Sequence, residues 1–225
     1  MKISRVLNTN AVLSTNSDNE EIVLLGSGLG FKHKPGDSVE LDKVEKQFIL
    51  KNKEEQSQFK QLIESIPNEY IMVAENIISF AISYYQMDLN ESIHISLADH
   101  IYNSVGNAKQ GLFLPNLLLQ DLKQLYHNEY CVGIKGIELI NEMCGCQLPE
   151  DEAGYIAMHM INAQFHVKNL SISHMIKFTK KINNMILTEL DITPDESSLS
   201  YYRYITHLRF FAYRIVQNKH YHDNA

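Results

Sequence analysis

Three histidines stand in helix-forming surroundings where an imidazole can take up a phosphoryl group: His100 after Asp99 in SLADHI, His159 in AGYIAMHMINA and His207 in YITHLRFF. On a helical projection His100 falls beside Ile93 on an apolar stripe, and His159 lies at the margin of the stripe through Ile156 and Met160. A core histidine with one hydrogen bond accounts for these positions as well as a phosphoacceptor does, because buried polar groups are mostly satisfied ones. His207 has different company, since Arg203, His207 and Arg214 project within about 40° of one another on a helix. Two guanidinium groups beside an imidazole suit a phosphoryl group, whose oxygens Arg binds in bidentate fashion, and a solvated basic face has the same pattern. Asp99, Arg203 and Arg214 are the candidate pocket residues. The sequence has no His-Glu-x-x-His and no carboxylates or cysteines at ligand spacing around these histidines. It also lacks a Gly-Lys phosphate loop, a Gly-x-Ser-x-Gly elbow and a dinucleotide fingerprint. The residues therefore call for no metal, no cofactor and no conventional catalytic site.

A second constellation lies near the N-terminus. Residues 1–10 and 26–34 carry Lys2, Arg5, Lys32 and Lys34 and no acid, whereas acids collect at Asp18, Glu20 and Glu21 and again from Asp37 to Glu45. Among the basic residues sit Asn8 and Asn10, whose amides can both donate to and accept from base edges, and Gly26 and Gly28, which let a backbone approach closely. Phe31 adds a stacking surface. Such a set suits RNA loops and bulges, whose unpaired bases expose their faces. A hairpin turn shaped by the two asparagines, with Phe31 in a core, accounts for the same residues.

The elements that must position these residues change character near residue 55. Before it, short alternating runs (KISRVLN, AVLST, EEIVLLG, KQFIL) separated by turn-rich pieces predict a small antiparallel sheet. After it the pattern is helical: Ile66, Val73, Ile77, Phe80 and Tyr84 form one stripe, and Leu89, Ile93, Leu97, Ile101 and Val105 form another. Pro149 followed by Glu150, Asp151 and Glu152 marks a helix start where the dipole favours acids. A sheet of about four strands with one apolar face and no helix of its own is marginal alone, so a face-to-face homodimer is expected to supply the second layer. The helical part repeats: one offset places Asn76 on Asn183, Asp88 on Asp195 and His100 on His207, and aligns Ile71 with Phe178, Ile78 with Met185, Phe80 with Leu187, Leu97 with Tyr204 and Ile101 with Leu208. A second copy of that unit is expected to stop halfway at the last residue, either because the chain is a fragment or because the natural protein is shortened.

With 225 residues and 44% hydrophobic content the chain can bury a sizeable core. A net charge of −7 argues against non-specific coating of nucleic acid or membrane and leaves room for a local RNA-binding patch. Cys131, Cys144 and Cys146 read as reduced thiols. The apolar run LFLPNLLL is far shorter than the roughly 18 to 20 residues of a bilayer span, and MKISRVLNTN lacks a signal-peptide centre, so a cytoplasmic chain with no membrane insertion is expected.

The run MKISRVLNTNAVL, then LLGSGLGFKHKPGD and EKQFIL, then SLADHI, LPEDEAGYIAMHMINA and YYRYITHLRFFAYR, closely resembles the BglG/SacY-type transcriptional antiterminators, with their LicT- and SacT-like members, over the whole chain. The resemblance implies a multidomain protein: a small antiparallel β-sheet RNA-binding domain, dimeric, followed by all-α helical-bundle modules called PRDs, for phosphotransferase-system regulation domain. The corresponding limits are 1–55 for the co-antiterminator RNA-binding domain, 56–64 for a linker helix, 65–170 for the first PRD and 171–225 for the N-terminal half of a second. The family's regulatory histidines fall on His100 and His159 in the first module and on His207 in the second, and a fourth would align past the last residue. The RNA-contacting positions carried over are Asn8, Asn10, Gly26, Gly28 and Phe31, with Arg5 as a backbone contact. Position 27, basic in some members, is Ser27, so that contact is missing or replaced by Lys32.

The implied function is to hold an antiterminator RNA hairpin in the messenger leaders of sugar-utilisation operons. The implied partners are a sugar-specific transporter and the phosphocarrier of the phosphotransferase system. Phosphorylation of the first module silences and that of the second activates, the chain being the phosphoryl acceptor and not an enzyme. A PRD-containing DNA-binding activator shares the histidine modules, but the N-terminal part reads as strands and not as a helix-turn-helix.

Overall fold

A computed structural model describes residues 1–49, 53–165, 172–196 and 198–216. Strands β1 (Ile3–Asn8), β2 (Ala11–Thr15), β3 (Glu21–Leu25) and β4 (Lys46–Ile49) form an antiparallel meander in the order β1-β2-β3-β4, where the alternating runs predict it. Leu50, expected in the fourth strand, lies outside the described residues. Asn16 shapes the β2–β3 turn, its Oδ1 accepting the N–H groups of Asp18 and Glu20.

The expectation of a single apolar face without a covering helix does not hold. Ala11 to Ser14 and Ile22 to Leu25 are all buried, so both faces of the central strands are covered. On one face Ile3, Val12, Ile22 and Leu24 meet Leu29 and Val39 from the long β3–β4 connection. On the other, where the register aligns Ala11 with Leu25 and Val23 with Phe48, helix α1 (Lys53–Ser65) supplies Phe59, whose ring centroid lies 4.8 Å from that of Phe48. The physical reason lies in α1 itself: Phe59, Leu62 and Ile63 make a stripe that a polar helix must bury, and the open sheet face is the nearest apolar surface. The His94 ring meets Phe48 edge-on at 5.3 Å and its Nδ1 pairs with the buried Glu75.

Seven further helices follow among the described residues: α2 (Asn68–Tyr85), α3 (Ser92–Lys109), α4 (Leu119–Leu125), α5 (His127–Cys144), α6 (Glu150–Gln164), α7 (Ile172–Glu189) and α8 (Leu199–Val216). The chain divides into two units, Met1–Asn76 with His94–Asn103, and Ile77–Ile93 with Ser104–Ala225. The second stripe behaves as its spacing predicts from Ile93 on, with Ile93, Leu97, Ile101 and Val105 buried, whereas Leu89 precedes α3 and is half-buried. The α2 stripe does so through Val73 and Ile77 but not at its end, where Tyr84 is 70% exposed and stacks on Phe80 instead of entering a core. The last fully covered residues of α2 are Ile77, Ile78 and Ala81, and in its final turn Tyr85 is half-buried with its ring edge-on to those of Phe80 and Tyr84.

In the second unit α5 and α6 approach closely because Gly133 has no side chain; a Cβ there would sit 2.1 Å from the Ala153 carbonyl oxygen. The acidic first turn of α6 is fully used. Glu150 pairs with Lys123, Asp151 accepts the Asn116 N–H at 2.6 Å, and Glu152 accepts the Ser104 hydroxyl at 2.8 Å. Helices α7 and α8 close over α4 and α6 through Met175, Ile176, Ile205 and Leu208 against Leu122, Tyr126 and Ile161. The internal repeat is visible in the helix starts, since α3 begins at Ser92 and α8 at Leu199, the offset that places His100 on His207. No helix among the described residues is long and apolar enough to cross a membrane.

Candidate nucleic-acid interface and histidine positions

The tip of the β1–β2 hairpin is stitched to the glycine-rich connection by the two asparagines. Asn8 Oδ1 accepts the Asn10 N–H at 2.7 Å, and Asn10 Oδ1 accepts the Gly28 N–H at 2.8 Å. The Asn10 carbonyl accepts from Gly26 and the Thr9 carbonyl from Gly30, both at 2.9 Å. Gly26 is needed for a close approach, but to this chain's own backbone: a Cβ would lie 1.8 Å from the Lys43 carbonyl oxygen. Gly28 adopts φ +70° with open space around it. Ser27 is exposed and its N–H donates to Glu45 Oε1 at 3.0 Å. The Phe31 N–H donates to the Gly28 carbonyl at 3.0 Å, and its ring is 56% exposed with the Lys32 ammonium 5.2 Å from its centroid, which excludes a core role for Phe31. Asn8, Asn10, Ser27, Gly28, Phe31 and Lys32 thus lie along one surface over the buried Gly26; the asparagines shape the turn, and the ring and ammonium stand outward.

Arg5 sits on β1 and pairs at 2.8 Å with Glu64 of α1. Asn8 Nδ2 donates to the Ile63 carbonyl at 2.7 Å. Sequence reading did not single out Ile63 or Glu64, because one carboxylate or one carbonyl in a polar helix carries no local signal. A cavity of about 540 Å³ opens at this corner, lined by Asn8, Thr9, Asn10, Glu64, Ser65 and Asn68 among others.

The histidines lie in three different settings. His100 on α3 is half-buried beside the exposed Asp99, within the unit that holds the sheet. His159 on α6 is half-buried next to the fully buried Met160, in the helical unit. His207 is exposed on α8 together with Arg203 and Arg214, while Ile205, Leu208 and Ala212 bury the other side of that helix. The arginine with the most consequential contacts was not among the expected ones. Arg209 pairs with the buried Glu129 and lies 4.1 Å from the centroid of the Tyr126 ring. Burial works against its charge, and Glu129 together with the Tyr126 and Tyr202 phenols more than offsets that, so its pKa stands above the ordinary value. Glu129 also accepts from Gln164 at 2.9 Å, so α5, α6 and α8 meet at one carboxylate. A cavity of about 680 Å³ beside it is lined by Lys123, His127, Tyr202, Thr206 and Arg209 among others.

The family described as CAT RNA binding domain matches residues 1–57, and the family described as PRD domain matches residues 75–163. The transcription antiterminator LicT of Bacillus subtilis (strain 168) is 39% identical over 220 residues, spanning 98% of this chain and 79% of LicT. The beta-glucoside operon antiterminator of Dickeya chrysanthemi is 36% identical over 216 residues, spanning 96% of this chain and 76% of that protein. The crystal structure of GlcT CAT-PRDI superposes with a TM-score of 0.64 at 36% identity, covering 72% of this chain and 97% of that one. With a sheet domain of the matching kind followed by PRD helices, and relatives of this identity along nearly its whole length, the chain belongs to the BglG/SacY-type family of transcription antiterminators.

Proposed function

We propose that this protein is a sequence-specific RNA-binding transcription antiterminator that stabilises an antiterminator hairpin in the messenger leader of a sugar-utilisation operon. The observation that carries the reading is the junction of Asn8, Asn10 and Gly28, which holds the hairpin tip against the glycine loop and leaves Phe31 and Lys32 facing outward beside it. An exposed ring next to a cation fits an unpaired base with its phosphate, a surface suited to RNA loops. Holding one RNA fold against a competing terminator needs little energy, because shifting a two-state equilibrium from 1:99 to 99:1 takes about 5.5 kcal/mol of differential binding.

The organisation that goes with this reading is an RNA-binding domain at 1–55, a linker helix at 56–64, a first regulatory module at 65–170 and part of a second at 171–225. The junction at 166–171 and the stretch 217–225 lie outside the described residues. His100, His159 and His207 are the phosphoryl acceptors, with Asp99, Arg203 and Arg214 as pocket residues. The sugar-specific transporter and the phosphocarrier are the donors, and the working form is a cytoplasmic homodimer. A phosphoryl group adds nearly two negative charges at an imidazole, and a dimer axis doubles the change.

The test is selection of RNA hairpins with randomised internal loops on the whole chain, with duplex DNA of matched length as the competitor. Enrichment of hairpins with a defined set of unpaired bases supports the reading. Binding of duplex DNA at equal affinity overturns it in favour of a DNA-binding activator.

A further inference from the structure

We propose that the last turn of α1 is an intramolecular competitor for RNA, occupying the β1–β2 corner with Glu64 in the place of a phosphate and the Ile63 carbonyl in the place of a base acceptor. The inference rests on the RNA-binding reading above and assigns a regulation to the same surface.

The two groups that α1 engages are Arg5 and Asn8, both carried on β1. Arg5 Nη2 donates to Glu64 Oε1 at 2.8 Å, and a guanidinium donates to a carboxylate as it does to a phosphate. Asn8 is used at both ends, its Oδ1 by the Asn10 N–H and its Nδ2 by the Ile63 carbonyl. The availability of that carbonyl follows from the sequence. In a helix the Ile63 carbonyl would accept from the N–H four residues on, but that residue is Pro67, which has none. The orphaned acceptor is therefore capped from outside, and Asn8 is the group that caps it.

The contact has the properties of a latch and not of a weld. The Arg5 and Glu64 side chains are 61% and 39% exposed, and an ion pair in such surroundings contributes little and yields to a competing anion. The rest of α1 is held separately by Phe59 on Phe48 and by Lys60 on Glu21, and the buried Leu62 and Ile63 keep its end packed, so what yields is the Arg5–Glu64 pair and the Asn8 amide and not the helix. Glu64 also lines the cavity through which a nucleotide would reach Asn8 and Asn10, where its charge opposes an incoming phosphate.

The experiment uses the whole chain and the hairpin enriched by the selection described above. Glu64→Gln is expected to bind that hairpin about two- to fivefold tighter than the unaltered protein, with the advantage shrinking as salt screens the ion pair. The double variant Arg5→Ala with Glu64→Gln is expected to bind the hairpin no more tightly than Arg5→Ala alone, a readout that a general loss of negative charge would not give. If Glu64→Gln melts like the unaltered protein yet binds the hairpin equally or more weakly, the latch is wrong. An equal gain from Glu64→Gln with and without Arg5 overturns it independently. If no hairpin is enriched at all, the RNA-binding reading has failed and the latch falls with it; if one is enriched and only the Glu64 result is negative, the latch alone has failed.

Discussion

The strand-bearing region and the terminal helices each hold a part of the chain in place with an Arg–Glu pair, in opposite surroundings. Arg5 and Glu64 stand largely in solvent, whereas Glu129 and Arg209 are 3% and 14% exposed at the side chain, with the guanidinium over the Tyr126 ring. An exposed pair loses little water on forming and contributes little, so it opens easily. A buried pair must be matched, because either partner alone leaves a charge in a poorly solvated place. The difference separates an exposed contact beside the proposed RNA surface from a buried fastening between α8, which carries His207, and α5.

The largest test of this contrast is Arg209→Ala. It strands Glu129 and is expected to destabilise the folded chain by about 3 to 5 kcal/mol, read as a fall in the urea midpoint. Arg5→Ala is expected to cost under about 1 kcal/mol in the same measurement. Equal losses would erase the distinction. The double replacement Glu129→Leu with Arg209→Met sharpens it, because filling the site with apolar volume is expected to recover most of what Arg209→Ala loses.

Next in size is Phe31→Ala. The ring is exposed, so its removal is expected to leave the melting temperature in place while lowering affinity for the selected hairpin by about 1 to 3 kcal/mol. A lower melting temperature with unchanged affinity would make Phe31 a packing residue of the sheet region.

The histidines extend the comparison to both units, since His100 lies in one and His159 in the other. His100→Asp and His159→Asp supply about one of the nearly two charges of a phosphoryl group and are expected to lower read-through in a terminator reporter part of the way. The Ala variants are expected to keep read-through high without the sugar. Equal loss of activity and stability in Asp and Ala variants would return both residues to a purely structural role.

The smallest effect is expected in alkali. The Tyr85 phenol is pushed up to about 12 by burial and by its hydrogen bond to Cys131. Its contribution to stability is complete below pH 10.0, the ordinary value it keeps when unfolded, and is lost as pH rises through the folded value. Tyr85→Phe is expected to flatten that part of the stability profile, and an unaltered profile would show that the phenol plays no part in it.

Much of this protein is legible in local sequence. The four strands follow from short β-prone runs between turn-rich pieces, and α3 follows from an apolar stripe, because these signals depend only on residues a few positions apart. The matching starts of α3 and α8 were equally foreseeable from the offset between their histidines. The same offset did not foresee burial: Ile78 is buried while its counterpart Met185 is 54% exposed, and Asn76 is exposed while Asn183 is buried. A repeat copies the pattern of a helix but not the neighbours that cover it.

What depended on neighbours was decided only by the tertiary structure. Sequence marked Asn8, Asn10, Gly26, Gly28 and Phe31 as a set through residue type, and could not say that Gly26 approaches Lys43 and not a ligand. It showed Arg203, His207 and Arg214 on one face of a helix, and passed over Arg209 because its partner Glu129 lies 80 residues away. It showed Pro67 and the polar helix before it, and gave no sign that the carbonyl freed by that proline would find Asn8 across 55 residues of chain. Periodicity and turn chemistry act between residues a few positions apart, whereas the burial of a charge or the capping of a carbonyl is settled by whichever distant group the packed chain brings there.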